Sequence, residues 1–348
     1  MKIKRLLSII TVSLGGVAAA QETPSTPLQF SGSVDTYYKY DFNKASNIKT
    51  YFANENNSIS LGMIDVALKK TTGKTSFVGE VAFGPRGQSQ SIPNADGTYN
   101  ENSNSFHIQN LYVSYAFSNK FSLTAGYMGT FIGYEVISPA ANFNYSTSYL
   151  FGAGPFQNAG IKASYVFSDK VSLMAGLFND WNVYQDFNGI SHVGAQLTVI
   201  PTTGWTAYLN VLSGHSAGAA GTGTIVDLTT AYQITSKFKL GLNAADYTIS
   251  NNNGGYSGIA VYPQYAFSAG FALGLRAENF KYRGAGGAPN AGITSFTLSG
   301  NIKSGGLTFI PEIRFDNDKD LSQGFLMKNG LSLSKSASQF SLAAVYAF

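Results

Sequence analysis

Residues 115–123 read YAFSNKFSL, an aromatic pair followed by a tight polar turn and the start of an alternating segment. The pattern is repeated at 165–173 as YVFSDKVSL, and in looser form at 232–238 as YQITSKF and at 265–271 as YAFSAGF. Related polar turns lie at 71–74, 201–204 and 303–306. The sequence therefore predicts seven tight turns of one recurring design.

The residues beside these turns alternate with a period of two. In 121–128 the apolar residues Phe121, Leu123 and Tyr127 are separated by small or polar residues, and 192–199 alternate in the same way. A period of two is typical of strands, whereas a helix repeats every 3.6 residues. The turns are therefore expected to join β-strands that have one apolar face and one mostly polar or small face.

The spacing of the turns predicts the number of strands. Successive turns are about 33 to 50 residues apart, which leaves room for two strands of about ten residues and one longer loop. Ten tilted residues are enough to cross the hydrocarbon layer of a membrane. Seven short turns and eight long loops join 16 antiparallel strands, with both chain ends on the short-turn side. The predicted long loops are residues 41–57, 85–105, 132–157, 182–190, 215–222, 249–256, 281–292 and 317–336.

The first 20 residues have the three parts of a secretory signal in the required order. Basic residues Lys2, Lys4 and Arg5 precede an apolar run at 6–17, and alanines occupy 18–20. We expect residues 1–20 to be a cleaved signal peptide and residues 21–348 to form the folded domain. Without the three basic residues, 20 Lys+Arg face 19 Asp+Glu. The near-neutral charge gives no reason to expect a nucleic-acid partner.

The composition favours a transmembrane barrel over other exported folds. Charged residues are only 12% of the chain, about half the usual share of a soluble domain. The absence of cysteine excludes a disulfide-stapled domain, and no second apolar run is long enough for a membrane helix. A periplasmic β-sandwich or propeller would also alternate. Aromatic residues at fixed positions beside the turns instead indicate the interfacial girdle of a membrane barrel.

A sheet in lipid has to close. An open strand edge would leave backbone groups without partners in hydrocarbon, at several kcal/mol for each group. The expected fold is therefore an all-β transmembrane antiparallel barrel with short periplasmic turns and longer extracellular loops. A ring of about 16 strands is too wide to be filled by its own side chains, so we expect an aqueous lumen.

The C-terminus repeats the turn motif without its turn. Tyr346-Ala347-Phe348 matches the Tyr-x-Phe that precedes the internal turns at 115–117 and 265–267. The terminal Phe348 resembles the signal that the outer-membrane assembly machinery reads on barrel proteins. We therefore interpret Tyr346 and Phe348 as an assembly signal.

Two prolines fall inside predicted strands. Pro263 and Pro311 cannot donate to a sheet ladder. We expect a bulge or a local irregularity at each of them.

Short motifs in a fixed order resemble the second β-barrel porin family of Gram-negative outer membranes. They run over nearly the whole chain after the signal: 30–38 at the first strand, Gly133-Tyr134-Glu135, 154–156, Asn179-Asp180-Trp181, 311–316 and the final Tyr-Ala-Phe. The sequence has Asn-Asp-Trp where an Asn-Gly-Trp would be looked for, so the role of that strand end is open. The resemblance implies an outer-membrane barrel with porin activity and leaves the solute open.

Inward strand positions are the candidate pore lining. If the apolar residues of each strand face outward, the period of two predicts that charged residues of both signs face inward. These residues are Asp35, Lys39, Asp65, Glu80, Lys162, Asp180, Asp227, Lys239, Arg276, Glu278, Lys303, Glu312, Arg314 and Asp316. For each position a solvated wall charge without an individual role is the alternative to a contribution to ion selectivity. The balance of signs does not predict a preference for cations or anions.

The densest charged clusters suggest a constriction. Arg276 and Glu278 lie on the thirteenth strand, and Glu312, Arg314 and Asp316 lie on the fifteenth. The long third loop, 132–157, is aromatic and nearly uncharged, and loops of this length usually carry function. We hypothesise that the wall charges form one side of a constriction and that this loop forms the other. The candidate loop residues are Glu135, Phe143, Tyr145, Tyr149 and Phe151.

Other chemistry has little support in the sequence. His107, His192 and His215 are scattered and have no metal-ligand spacing, and no nucleophile elbow appears. We therefore expect no metal, no cofactor and no catalysis. The leading interpretation is passive diffusion of small hydrophilic solutes or ions through one barrel or through each barrel of a homotrimer. The alternatives are a substrate-specific channel, for example for a sugar, and a structural or adhesive barrel without an open pore.

Overall fold

The computed structural model describes residues 25–86, 108–183, 186 and 188–348. The predicted signal peptide and most of the predicted second long loop lie outside these residues. Sixteen strands are found in the described part of the chain: β1 (Gln29–Asp41), β2 (Ser58–Thr72), β3 (Thr75–Phe83), β4 (Ile108–Ala116), β5 (Phe121–Gly129), β6 (Gln157–Ser168), β7 (Val171–Trp181), β8 (His192–Thr202), β9 (Trp205–Gly214), β10 (Gly223–Gln233), β11 (Phe238–Ile249), β12 (Gly255–Ser268), β13 (Phe271–Arg283), β14 (Ala291–Ser304), β15 (Leu307–Asp318) and β16 (Ser336–Ala347).

The strands form one closed antiparallel barrel in sequence order. Every strand pairs with its neighbours in the chain, and β1 pairs with β16 to close the ring. The seven tight turns are where the sequence predicts them, and three of them use a glycine with positive φ: Gly73 at 58°, Gly204 at 80° and Gly305 at 60°. The loops between β11 and β12 and between β13 and β14 are shorter than predicted, because β11 runs to Ile249, β12 begins at Gly255, β13 runs to Arg283 and β14 begins at Ala291. The 16-strand prediction is confirmed.

The outer surface carries the apolar band that the alternation predicts. Beside the short turns, the aromatic pairs Tyr115 and Phe117, Tyr165 and Phe167, and Tyr265 and Phe267 are all exposed. Their ring centroids are 4.8, 5.0 and 4.9 Å apart, each pair edge to face. The repeated motif thus builds the same aromatic contact at three points of the periplasmic rim.

A charge on the middle of this band should destabilise the barrel. Leu298 lies outward at the centre of β14 and is 46% exposed. Leu298→Arg is expected to lower the free energy of unfolding in lipid vesicles by about 2–4 kcal/mol, because the charge loses its hydration in the hydrocarbon. Denaturant titration of vesicle-inserted protein measures the change. Leu298→Ala, which adds no charge, is the matched control and should cost clearly less.

The prolines interrupt the sheet without a bulge. Pro311 pairs with Leu342 of β16 in a continuous register, whereas its pairing with β14 is missing and resumes in the same register on either side. Pro263 behaves in the same way: it pairs with Leu240 of β11 and lies in a gap of the ladder to β13. Of the two expected alternatives, the local irregularity is found at both positions and the bulge at neither. The irregularity is a break in one ladder, which is what the missing N–H of proline requires.

Among the described residues, no helix is long and apolar enough to cross a membrane. The only α-helix among them, α1 (Tyr149–Ala153), belongs to the loop that connects β5 to β6. It lies inside the barrel and packs against β12 and β13.

Candidate pore constriction

The third long loop, residues 130–156 and here called L3, folds into the lumen. A 3-10 turn at Pro139–Ala141 lies against β16, and α1 lies against β12 and β13 on the wall opposite the strands that L3 connects. Residues 144–150 are all buried. The Ser148 side chain caps α1 by accepting a hydrogen bond from the Phe151 backbone N–H at 3.0 Å. L3 therefore narrows the barrel from within.

Two glutamates of the wall hold the main chain of L3. Glu278 on β13 accepts hydrogen bonds from the backbone N–H groups of Tyr149 at 3.0 Å and Leu150 at 2.8 Å. Glu312 on β15 accepts from the N–H of Tyr145 at 2.9 Å and that of Ser146 at 3.2 Å. Each carboxylate thus satisfies buried N–H groups at the start of α1 or in the segment before it, groups that would otherwise be costly to desolvate.

Arg276 provides the complementary contact from β13. Its guanidinium forms an ion pair with Glu135 of L3 at 2.8 Å and donates to the Ser146 carbonyl at 2.5 Å. It also donates to Thr297 of the neighbouring strand at 3.1 Å. The Arg276 side chain is fully buried. Removing one partner of such a buried pair is strongly destabilising.

Arg314 connects L3 to the first long loop, residues 42–57, here called L1. Its guanidinium donates to the Thr147 carbonyl of L3 at 2.8 Å and to the Thr50 hydroxyl of L1 at 3.0 Å. Asp316 balances the charge at 2.8 Å. Thr147 also donates its hydroxyl to the Thr50 carbonyl. L1 and L3 are therefore tied to the same wall residue.

Two tyrosines of L3 complete the contact with the wall. The Tyr149 hydroxyl donates to Asp316 at 2.7 Å, and the Tyr145 hydroxyl donates to Asp35 at 2.5 Å. Burial raises the pKa of the Tyr149 phenol well above its ordinary value, and the nearby Asp316 carboxylate adds to the shift. The phenol therefore stays protonated and remains a donor over the physiological pH range.

Arg86 is a site residue that the sequence did not single out. Its guanidinium lies 4.8 Å from the centre of the Phe52 ring and 4.9 Å from that of Tyr145. It also donates to the Tyr145 carbonyl at 3.3 Å and lies 3.8 Å from the carboxylate of Asp35. A lone arginine in a predicted loop carries no periodic signal, so only the folded arrangement reveals its position.

The structure brings most of the candidate wall and loop residues together, and it places them in direct contact and not on opposite sides of an opening. The hypothesis placed the charges of β13 and β15 across an open constriction from L3. In the structure these side chains are buried beneath L3 and form hydrogen bonds with it. Phe143 of L3 packs so closely on Gly274 of β13 that a Cβ there would lie 2.3 Å from its ring. Phe151 packs against Phe52 and Phe156.

The remaining candidates are separate from this cluster. Lys39 is buried and donates to the Ile48 carbonyl of L1 at 3.3 Å. Asp180 accepts from Ser191 at 2.6 Å near the extracellular end of the barrel. Glu80 accepts from the Asn110 side chain at 2.6 Å and has no hydrogen bond to the described residues of L3.

Below L3, on the side of the short turns, the lumen opens into a space here called the periplasmic vestibule. A cavity of about 430 Å³ under residues 139–144 of L3 and a second of about 360 Å³ beside it share Tyr134, Ala231 and Lys239. Tyr134 stacks on Tyr262 at 4.4 Å and forms part of the boundary. This volume is the space that L3 leaves open beneath itself.

Within the part of the chain that the structure describes, no three His, Cys, Asp or Glu side chains are grouped as metal ligands. Chemically, the arrangement can confine and orient solutes in water. Its buried charges serve to fix L3 in position.

The sequence model of one protein family, described as "Putative beta-barrel porin-2, OmpL-like", matches residues 27–348. The chain belongs to this porin family. It is a β-barrel of the bacterial outer membrane, and its function is that of a passive channel. The family resemblance seen in the sequence is confirmed. No curated protein matches this porin in sequence.

Solved structures with similar folds are distant in sequence. DcaP, an outer membrane channel of Acinetobacter baumannii, has 13% identity and a TM-score of 0.62 over 92% of this chain and 97% of that chain. An anion-selective porin from Comamonas acidovorans has 13% identity and a TM-score of 0.60 over 93% and 100%. The trimer form of OmpT from Vibrio cholerae has 14% identity and a TM-score of 0.57 over 93% and 99%. At these identities the likeness shows the shared barrel fold.

Proposed function

We propose that this porin lets small hydrophilic solutes and ions diffuse through the barrel along a path narrowed by L3. The observation that carries the proposal is the latch of L3 to β13 and β15, here called the L3 latch and defined by Glu278, Glu312, Arg276 and Arg314. It fixes a loop inside the barrel and leaves the vestibule open below it. A preorganised loop of this kind sets a size limit while the wall stays rigid.

Two measurements test this function. Purified protein in planar bilayers should give discrete conductance steps, and liposomes that contain it should swell in sugars at rates that fall smoothly with sugar size. Saturation by a single sugar would instead support a substrate-specific channel. L3 offers a sugar little exposed aromatic surface to bind, because the rings of Tyr145 and Tyr149 are buried in the L3 latch region. An absence of conductance steps would support a structural or adhesive barrel.

Catalysis is not part of the proposal. The charged side chains of the L3 latch are engaged in holding L3. The adjacent Ser191 and His192 lie at the extracellular end, bonded to each other at 2.7 Å and facing Asp180. The Ser191 hydroxyl donates its hydrogen bond to the Asp180 carboxylate and not to His192. The removal of residues 1–20 on export is likewise proposed, on the three-part pattern of the sequence.

We also propose that the barrel assembles as a homotrimer. On β2, the outward residues Ile59 and Leu61 are 85% and 70% exposed, which makes them the most exposed large apolar residues of the described strands. A second copy packed there would cover this excess apolar surface. One neighbour in fold was solved as a trimer. Leu61→Asp is expected to convert the trimer to monomers in mild detergent, which light scattering after size exclusion measures, whereas Leu298→Ala should leave the mass unchanged.

A further inference from the structure

The charges that line the periplasmic vestibule differ from those of the L3 latch. Of the described residues around its two cavities, three are charged: Glu135, Lys239 and Lys303. Lys303 is exposed and Lys239 is half-buried. Neither ammonium group has a hydrogen bond or an ion pair to any described residue. Both lysines are therefore free to meet a solute.

The single carboxylate of the vestibule is already compensated. Glu135 is bonded to the Arg276 guanidinium at 2.8 Å and to the Ser148 backbone N–H at 2.6 Å, and it is buried. The latch glutamates Glu278 and Glu312 direct their oxygens to backbone N–H groups of L3. The charge that remains open to the water of the vestibule is therefore positive.

A neutral donor lies beside one of the lysines. Gln264 of β12 is the direct cross-strand partner of Lys239 of β11 and lines the same cavity. Its amide has no hydrogen bond to the described residues. An ammonium and a free amide on neighbouring inward positions suit an anion with several acceptor oxygens. The cavity volume is within the range that holds a small molecule.

We propose that the periplasmic vestibule binds small polyvalent anions, of which phosphate is the simplest, and that its lysines make the channel prefer anions over cations. The proposal rests on the proposed channel function, because an ion preference requires an open pore. Positive charge on the wall lowers the electrostatic barrier for anions and raises it for cations. The preference should therefore depend on Lys239 and Lys303 together.

Reversal potentials under a potassium chloride gradient test the ion preference. Wild-type channels should show a potential of the sign given by chloride, and the double variant Lys239→Gln with Lys303→Gln should lose most of that potential while keeping discrete conductance steps. Lys170→Gln, in the exposed turn between β6 and β7, is the matched control and should keep the wild-type value. A wild-type potential of the potassium sign, or a double variant with an unchanged potential, would overturn the proposal.

Inorganic phosphate tests the binding site itself. Added to each side in turn, it should reduce the chloride current of wild-type channels from the vestibule side, and the double variant should lose most of this block. Equal block of wild type and double variant would exclude the site. Complete absence of conductance steps would refute the channel function and the anion site together, whereas conductance without anion preference would refute only the latter.

Discussion

Channels in which Glu278 and Glu312 are both replaced by alanine are expected to conduct several times more current than the wild type. These carboxylates accept hydrogen bonds from the backbone N–H groups of four L3 residues. Without them each N–H would be buried and unpaired against the wall, at a cost of about 1–3 kcal/mol per group. L3 can avoid this cost by moving into the water of the lumen. L3 is then detached from the wall and no longer holds the constriction at a fixed width. Larger sugars should therefore enter the liposomes.

The closed sheet should survive these substitutions, because neither side chain takes part in the strand ladders. The heat-modifiable mobility of the barrel on gels verifies this for each variant. Glu80→Ala is the matched control, since Glu80 is also an inward carboxylate and its hydrogen-bond partners, Asn110 and Asp65, lie on the neighbouring strands and not in L3. If the double variant keeps the wild-type conductance and the same sugar size limit, the L3 latch does not set the constriction.

The fold could be predicted from sequence because its signals are local and repeated. The YAFSNKFSL pattern combines a turn, an aromatic contact and the first residues of a strand within nine positions. Each repeat therefore fixes its own hairpin, and closure follows from the requirement to pair both edges in lipid. The prolines show the limit of this reasoning. A missing donor predicts a defect, but whether the chain bulges or only breaks one ladder depends on its neighbours.

The candidate site was only partly predictable. Period two identified Arg276, Glu278, Glu312 and Arg314 as inward residues, because the rule needs only the strand that carries them. Their partners are backbone groups of a loop more than 100 residues away in the sequence. No local pattern encodes which carbonyl or N–H a side chain meets across a lumen. The same reason explains why Arg86 was missed.

The second large effect is expected at the C-terminus. Deleting Phe348 should greatly reduce the amount of folded protein in the outer membrane. Phe348 closes the seam of the barrel: its N–H donates to the Gly32 carbonyl, and its carbonyl accepts from the Gly32 N–H, both at 3.0 Å. Its ring stacks on Phe30 at 5.8 Å. A Cβ on residue 32 would lie 2.8 Å from this ring, so the glycine is needed for the close approach.

Phe117→Ala separates an assembly signal from a rim aromatic in general. Phe117 ends the same Tyr-x-Phe motif, is 50% exposed where Phe348 is 46% exposed, and makes its own ring contact with Tyr115. Phe348→Ala and Phe117→Ala, which both keep the backbone hydrogen bonds, should lower stability to a similar small extent when the proteins are refolded into vesicles. In cells, only the loss of Phe348 should deplete the heat-modifiable form from outer-membrane fractions, because the interpretation of Tyr346 and Phe348 as the assembly signal assigns recognition to this copy of the motif and not to Tyr115 and Phe117. Equal depletion for both variants would assign Phe348 an interfacial role like that of the other girdle residues.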